Sequence, residues 1–154
     1  GEEEQEDEAV YNPSGLIGYK MKGQPGDKVY YQIYAFGMGN LGAFDIKVNY
    51  DSSKIKAVRV INGTVKSGEY IDTSADVDLS SAGDGYITVA SSDTSGKANE
   101  SGVIFTVVFD VLPDAEGKCG ITLSGRNSST PSLYDKDNDL IEPLSITNGS
   151  ITIR

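Results

Sequence analysis

Residues 28–36 read KVYYQIYAF and residues 43–50 read AFDIKVNY, and the way these two stretches alternate decides the fold. Successive side chains of a strand point to opposite sides of its sheet, so a period of two marks an inner face. In the first stretch Val29, Tyr31, Ile33 and Ala35 share one phase; in the second Phe44, Ile46, Val48 and Tyr50 do. The same reading turns Ile87 and Val89 inward in 85–91, Cys119, Ile121 and Leu123 in 119–124, and Ile151 and Ile153 at the end. Residues 103–112, VIFTVVFDVL, are apolar almost throughout, which predicts a strand covered on both sides or near the centre of a sheet. Segments 16–22, 54–61 and 76–80 bring the total to about nine strands, parted by turn clusters such as Gln24-Pro25-Gly26-Asp27, Ser81 to Gly85 and Pro113 to Gly117. No window carries a sustained helical stripe. The prediction is an all-β, nine-stranded sandwich of two sheets with jelly-roll topology.

At 154 residues the chain fits one domain, and its 38% hydrophobic and 23% charged residues are those of a soluble globular protein. No apolar run approaches the roughly 18 residues of a membrane span. The first residues are acidic rather than a basic n-region, so no targeting signal is expected in them. Of the formal charge of -10, six negative charges (Glu2, Glu3, Glu4, Glu6, Asp7 and Glu8) lie in the opening stretch, leaving about -4 for the rest. Residues 1–12 are therefore expected to be an acidic linker or tail, and 13–154 the domain. Without a Lys/Arg stripe to neutralise phosphates, nucleic acid is not an expected partner.

Much catalytic chemistry is missing. There is no histidine and one cysteine, which removes His-based triads and metal triads, thiolate zinc clusters and internal disulfides. No phosphate-binding glycine motif occurs. A glycosidase needs two carboxylates across a cleft; acids are plentiful here, but a sandwich with short loops offers little cleft. The composition points to a module that is not an enzyme.

Three features invite a functional reading. Asp135, Asp137 and Asp139 are spaced like the opening of a calcium loop, yet Leu140 and Ile146 stand where an EF-hand requires Gly and Glu; a solvated acidic turn is the expected reading. Tyr30, Tyr34 and Phe36 share the outward phase of their strand, with Tyr19 on a neighbour, and could stack sugar rings, although such rows more often pack across strands. Cys119 lies on an inward phase, as a small buried hydrophobe does.

From Gly23 onward the order of blocks resembles the cohesin modules of bacterial scaffoldins, the scaffold proteins of cellulosomes. The resemblance runs through GQPGDKVYYQIYAFG from residue 23, LGAFDIKVNYDSSKIKAVRVING from 41, GYITVASSDTSG from 85, GVIFTVVFDVLPDAEGKCGITL from 102, YDKDNDLIEP from 134 and NGSITIR from 148. It covers nearly the whole chain apart from the acidic start. It implies a secreted or cell-surface protein-protein interaction module, monomeric in isolation, that binds a dockerin. Such a module anchors enzymes or scaffold subunits in an extracellular polysaccharide-degrading complex. It needs no cofactor; calcium is expected in the dockerin.

The contact surface in that family is the sheet of its strands 8, 3, 6 and 5, so the resemblance carries the site to the outward phases here. These are Ala43, Asp45, Lys47 and Asn49 on strand 3, with Asp45 matching the family's hydrogen-bonding aspartate. Strand 5 adds Asp76, Asp78 and Ser80; strand 6 adds Tyr86, Thr88 and Ala90, followed by Ser91 or Ser92; and the block near strand 8 supplies Leu140 and Glu142. A carboxylate at 45 can accept from hydroxyls near a helix N-terminus. Ala43 stands where an Asn is frequent and Lys47 brings charge to a face that is often apolar, changes that alter which dockerin is accepted. A carbohydrate-binding module using Tyr30, Tyr34 and Phe36 is the alternative, and a purely structural surface sandwich a third.

Overall fold

A computed structural model describes residues 14–37, 41–62, 76–92, 101–142 and 144–154. The expected acidic tail lies outside the described residues. Among the described residues twelve strands form two sheets: β1 (Ser14–Gly18), β2 (Lys20–Gly23), β3 (Lys28–Phe36), β4 (Leu41–Asn49), β5 (Ile55–Asn62), β6 (Asp76–Asp78), β7 (Tyr86–Ser91), β8 (Ser101–Val111), β9 (Gly117–Ser124), β10 (Ser132–Asp135), β11 (Leu144–Thr147) and β12 (Gly149–Ile153). One sheet runs β11-β1-β3-β8-β5; the other runs β2-β12-β9-β4-β7-β6, with β10 also on β4. This is the jelly-roll sandwich that the alternation predicts.

The strand count exceeds the expected nine for identifiable reasons. The segment expected over 16–22 breaks at Tyr19 and its two halves join different sheets, and the expected final strand, β12, is preceded across Asn148 by an unexpected one, β11, in the other sheet. The two crossing chains travel together, β1 parallel to β11 in one sheet and β2 parallel to β12 in the other. At the crossing the Ser150 amide donates to the Tyr19 carbonyl (3.1 Å) and the Leu123 amide to Asn148 Oδ1 (2.9 Å). The twelfth strand, β10, was hidden in a turn-rich stretch between Pro131 and the Asp135 run.

The inner faces follow the predicted phases. Tyr31, Ile33, Ala35, Ile46, Val48, Ile87, Val89, Ile121 and Ile151 are fully buried. Phe44 stacks on Phe105, while Tyr50 meets Phe109 edge-on at 5.0 Å between centroids. Tyr50 also fastens the end of β4: its hydroxyl donates to the Ala82 carbonyl (2.6 Å) and accepts from the Ala57 amide (3.2 Å). Burial raises the Tyr50 phenol above its usual value. The turn into β7 needs glycine, because Gly85 has φ of +97° and a Cβ there would meet the Tyr50 carbonyl oxygen at 2.7 Å.

β8 lies inside its sheet between β3 and β5, as its apolar run predicts. Its register on β3 shifts so that Ile33 faces Phe105 and Tyr34 faces Val103, leaving Ile104 as an extra, fully buried residue. Val108, on the outward phase, is buried too, flanked in register by Tyr30 and Arg59.

Candidate functional site

β4 is the spine of the candidate face. Its outward residues are partly buried where its inward ones are closed off, because strands flank it on both sides. On one side β7 pairs Asp45 with Ala90, Lys47 with Thr88 and Asn49 with Tyr86, and β6 continues the rows by pairing Asp76 with Ala90 and Asp78 with Thr88. Directly opposed residues of antiparallel strands point to the same side, so these sequence-predicted residues share one surface. On the other side β4 has two partners in succession: β9 sets Ser124 beside Lys47 and Thr122 beside Asn49, and β10 sets Ser132 beside Asp45 and Tyr134 beside Ala43.

Three cross-strand rows result. The first is Thr122, Asn49 and Tyr86; the second Ser124, Lys47, Thr88 and Asp78; the third Ser132, Asp45, Ala90 and Asp76. Within them the Asn49 amide donates to Ser124 Oγ (3.0 Å) and the Thr122 carbonyl (3.3 Å). Lys47 folds over its neighbour, with Nζ 4.2 Å from the Tyr86 ring centroid; such a cation-aromatic contact leaves the ammonium wet while the stem covers the sheet. Thr88, expected to face outward, does so but is only 8% exposed because Lys47 and Asp78 flank it.

The face has an acidic edge and an apolar end. Asp76 and Asp78 are exposed on the short β6. Asp78 Oδ1 accepts from the Ser80 hydroxyl (2.6 Å) and amide (2.9 Å), and those bonds, helped by the field of Arg126, hold its carboxyl below the usual range. At the opposite end Tyr134 is 36% and Leu140 47% exposed, and the two pair through an isolated bridge. Tyr134, Leu140 and Tyr30 are the exposed large hydrophobics among the described residues, so two of the three sit together at this end, Tyr134 beside Ala43 and Leu140 beyond Tyr134. Leu140 and Glu142 do not lie on a strand row; they line a groove of about 410 Å³ with Pro131, Ser132, Ile141 and others, which adjoins the face through Ser132. Ser92 is exposed just beyond β7.

Sequence reasoning missed Arg126. It stands in the excursion between β9 and β10, and its Nε lies 3.3 Å from one Asp45 carboxylate oxygen and 3.4 Å from the other. It also missed Tyr134, whose outward phase is set by β10. No periodic signal marks either residue.

The other candidates resolve differently. Tyr34 stacks on Tyr19 (6.3 Å between centroids) and a Cβ at Gly15 would run into the Phe36 ring, so both rings are used against neighbours and Tyr30 alone stays open. In the Asp135 run, Asp135 Oδ1 accepts from the amides of Asp137 (2.8 Å) and Asp139 (3.0 Å), and Asn138 takes φ of 66°; this is a self-bonded turn. Among the described residues no group of three His, Cys, Asp or Glu side chains converges as a metal would require. Cys119 is buried, and desolvation pushes its thiol up.

The architecture defines a class: a two-sheet jelly roll with polar cross-strand rows on one sheet face and a small apolar patch at one end of it. The cohesin-domain family model matches residues 17–153, and the chain belongs to the cohesin family. No protein of curated function matches it. Among solved structures, the chain is similar to the sixth cohesin of scaffoldin B from Acetivibrio cellulolyticus, solved in complex with a Cel5 dockerin, at 19% identity and a TM-score of 0.76 over 93% of this chain and 100% of that one. It is similar to the OlpA cohesin of Clostridium thermocellum, solved in a type I complex with a dockerin, at 20% identity and a TM-score of 0.75 over 93% and 100%. A non-cellulosomal cohesin from the archaeon Archaeoglobus fulgidus also matches, at 18% identity and a TM-score of 0.72 over 93% and 92%. At these identities the likeness establishes the fold.

Proposed function

We propose that this chain is a non-catalytic module that binds a calcium-loaded dockerin on the face built by β10, β4, β7 and β6. The observation that carries the reading is the gathering of Ala43, Tyr134 and Leu140 beside rows of hydrogen-bonding side chains centred on Asp45. Protein interfaces concentrate their energy in a few central groups that neighbouring contacts shield from water, with aromatic and Arg residues prominent among them. A small apolar patch with polar rows beside it suits one helix of a partner laid across the strands. The relatives solved with dockerins support the same partner class. Such a module works outside the cell or on its surface, tethering a dockerin-bearing enzyme or scaffold subunit within a polysaccharide-degrading assembly.

Calorimetry against a panel of purified dockerins tests the proposal, and the panel should include dockerins from non-cellulosomal proteins because one relative is itself non-cellulosomal. Asp45→Ala is expected to weaken the retained dockerin by about 1–3 kcal/mol, the cost of unpairing a charged hydrogen-bonding group in an interface. Unchanged affinity would remove Asp45 from the site. Retention on cellulose or starch, with tyrosine quenching by oligosaccharides, would favour the carbohydrate reading instead.

A further inference from the structure

Asp45 is already engaged in the free chain. Its carboxylate faces Arg126 Nε at 3.3 Å and 3.4 Å, and the origin of that contact lies in the way β4 is flanked. Ser124 ends β9 beside Lys47 and Ser132 opens β10 beside Asp45, so residues 125–131 leave the sheet and return within one step along β4. The excursion is tightly closed: the Gly125 amide donates to the Ser128 carbonyl (3.0 Å) and Ser128 Oγ to the Thr130 carbonyl (2.7 Å). Such a loop delivers Arg126 to a fixed place over the middle of the face.

The guanidinium hydrogen-bonds Asp45 through its Nε edge, and its charge also acts on Asp78 along the same face. Among the described residues its Nη groups have no hydrogen-bond partner, and the side chain is 48% exposed. An arginine offers five N–H donors in a rigid planar fork that suits two-point pairing with a carboxylate, and here most of that fork is unused.

We infer that Arg126 is the specificity-determining contact of this face, aimed by Asp45 and presenting its free Nη donors to a carboxylate on the docked partner helix. The inference rests on the dockerin reading and refines it. Asp45 becomes a positioning residue instead of the direct acceptor of a partner hydroxyl, and the preferred dockerin carries an Asp or Glu over Arg126. Lys47 stands one row away, but its ammonium folds over Tyr86 on the side away from Asp45, leaving Arg126 as the cation at that row.

A double-mutant cycle on the dockerin retained by the wild-type chain decides the matter, read by calorimetry with melting curves to verify folding. Arg126→Ala is expected to weaken binding about tenfold or more, Arg126→Lys by less, and Arg126→Glu by more than Ala, with the salt dependence of binding reduced in Arg126→Ala. Asp45→Ala is expected to cost about fivefold or more alone but less than about twofold in the Arg126→Ala background. Equal or tighter binding by Arg126→Ala would make Arg126 a competitor for Asp45 and overturn the inference, as would a full Asp45→Ala penalty in the Arg126→Ala background. A wild-type chain that retains no dockerin ends the functional reading and this refinement with it; wild-type binding that Arg126→Ala leaves intact ends the refinement alone.

Discussion

Phe44 and Phe105 stack across the interior with ring centroids 5.9 Å apart and planes 20° from parallel. One ring hangs from β4, next to Asp45; the other from β8, the buried strand of the opposite sheet. The pair therefore ties the candidate face to the second sheet. Removing the Phe105 ring leaves a cavity that neighbours on both sheets are too constrained to fill, so Phe105→Ala is expected to lose about 3–5 kcal/mol. Urea unfolding checks this through a lowered midpoint at an unchanged slope; a loss below about 1 kcal/mol would mean that the sheets are not coupled through these rings.

Tyr31 is fully buried, packs edge-on against Phe109, and its hydroxyl has no hydrogen-bond partner. An unpaired hydroxyl in an apolar site costs free energy that a benzene ring of the same shape does not. Tyr31→Phe is accordingly expected to keep or gain about 1 kcal/mol at neutral pH. Burial also raises the Tyr31 phenol well above its ordinary value, so above about pH 10 the unfolded chain releases a proton that the folded chain retains. Stability then falls as pH rises, by up to about 1.4 kcal/mol per pH unit for this group, and Tyr50, raised by the same cause, adds in the same direction. Denaturation curves from pH 7 to 11 should show a shallower alkaline decline in Tyr31→Phe than in wild type. A loss above about 1 kcal/mol at pH 7 would mean that the hydroxyl is satisfied, for example by a buried water.

Gly149 follows the point where the last strand changes sheets. A Cβ there would run into the Tyr19 carbonyl oxygen and the Tyr31 hydroxyl, and the first of these is backbone that cannot rotate away. Gly149→Ala is expected to destabilise by about 1–3 kcal/mol, the usual cost of overpacking. Combining it with Tyr31→Phe should recover only part of the loss, since the backbone contact persists. Thermal melts of the single and double variants measure both numbers, and full recovery would assign the crowding to the hydroxyl alone.

What the sequence disclosed was local. The period-two phases of Val29 to Ala35 and Phe44 to Tyr50 fixed which side chains point inward, because a half-buried strand writes its environment into every second residue. The same phases put Asp45, Lys47 and Asn49 on the open side. Register is another matter: nothing in the string says that Asp45 lies beside Ser132 or that Arg126, 81 residues away, reaches it. Those relations depend on how far β9 runs before leaving β4, and residues 125–131 have the composition of any turn. Tyr19 and Asn148 were equally silent, since a strand that changes sheets keeps its alternation and alters only its neighbours.

Calcium provides the last expectation. Asp135 spends one carboxylate oxygen on the amides of Asp137 and Asp139, so the run closes on itself through backbone hydrogen bonds and needs no ion to hold its shape. A dockerin built on calcium loops, by contrast, depends on the ion for its fold. Chelator is therefore expected to abolish binding while shifting the melting temperature of this chain by less than about 1 °C, under the roughly 2–4 °C that a loss of 1 kcal/mol would produce in a domain of this size. Returning calcium to the separated components identifies which of them holds it: dockerin treated alone should recover binding only on reloading, whereas this chain treated alone should bind at once. A treated chain that unfolds, or that needs calcium of its own before it binds, would make the turn from Asp135 to Asp139 a metal site and the self-bonded description wrong.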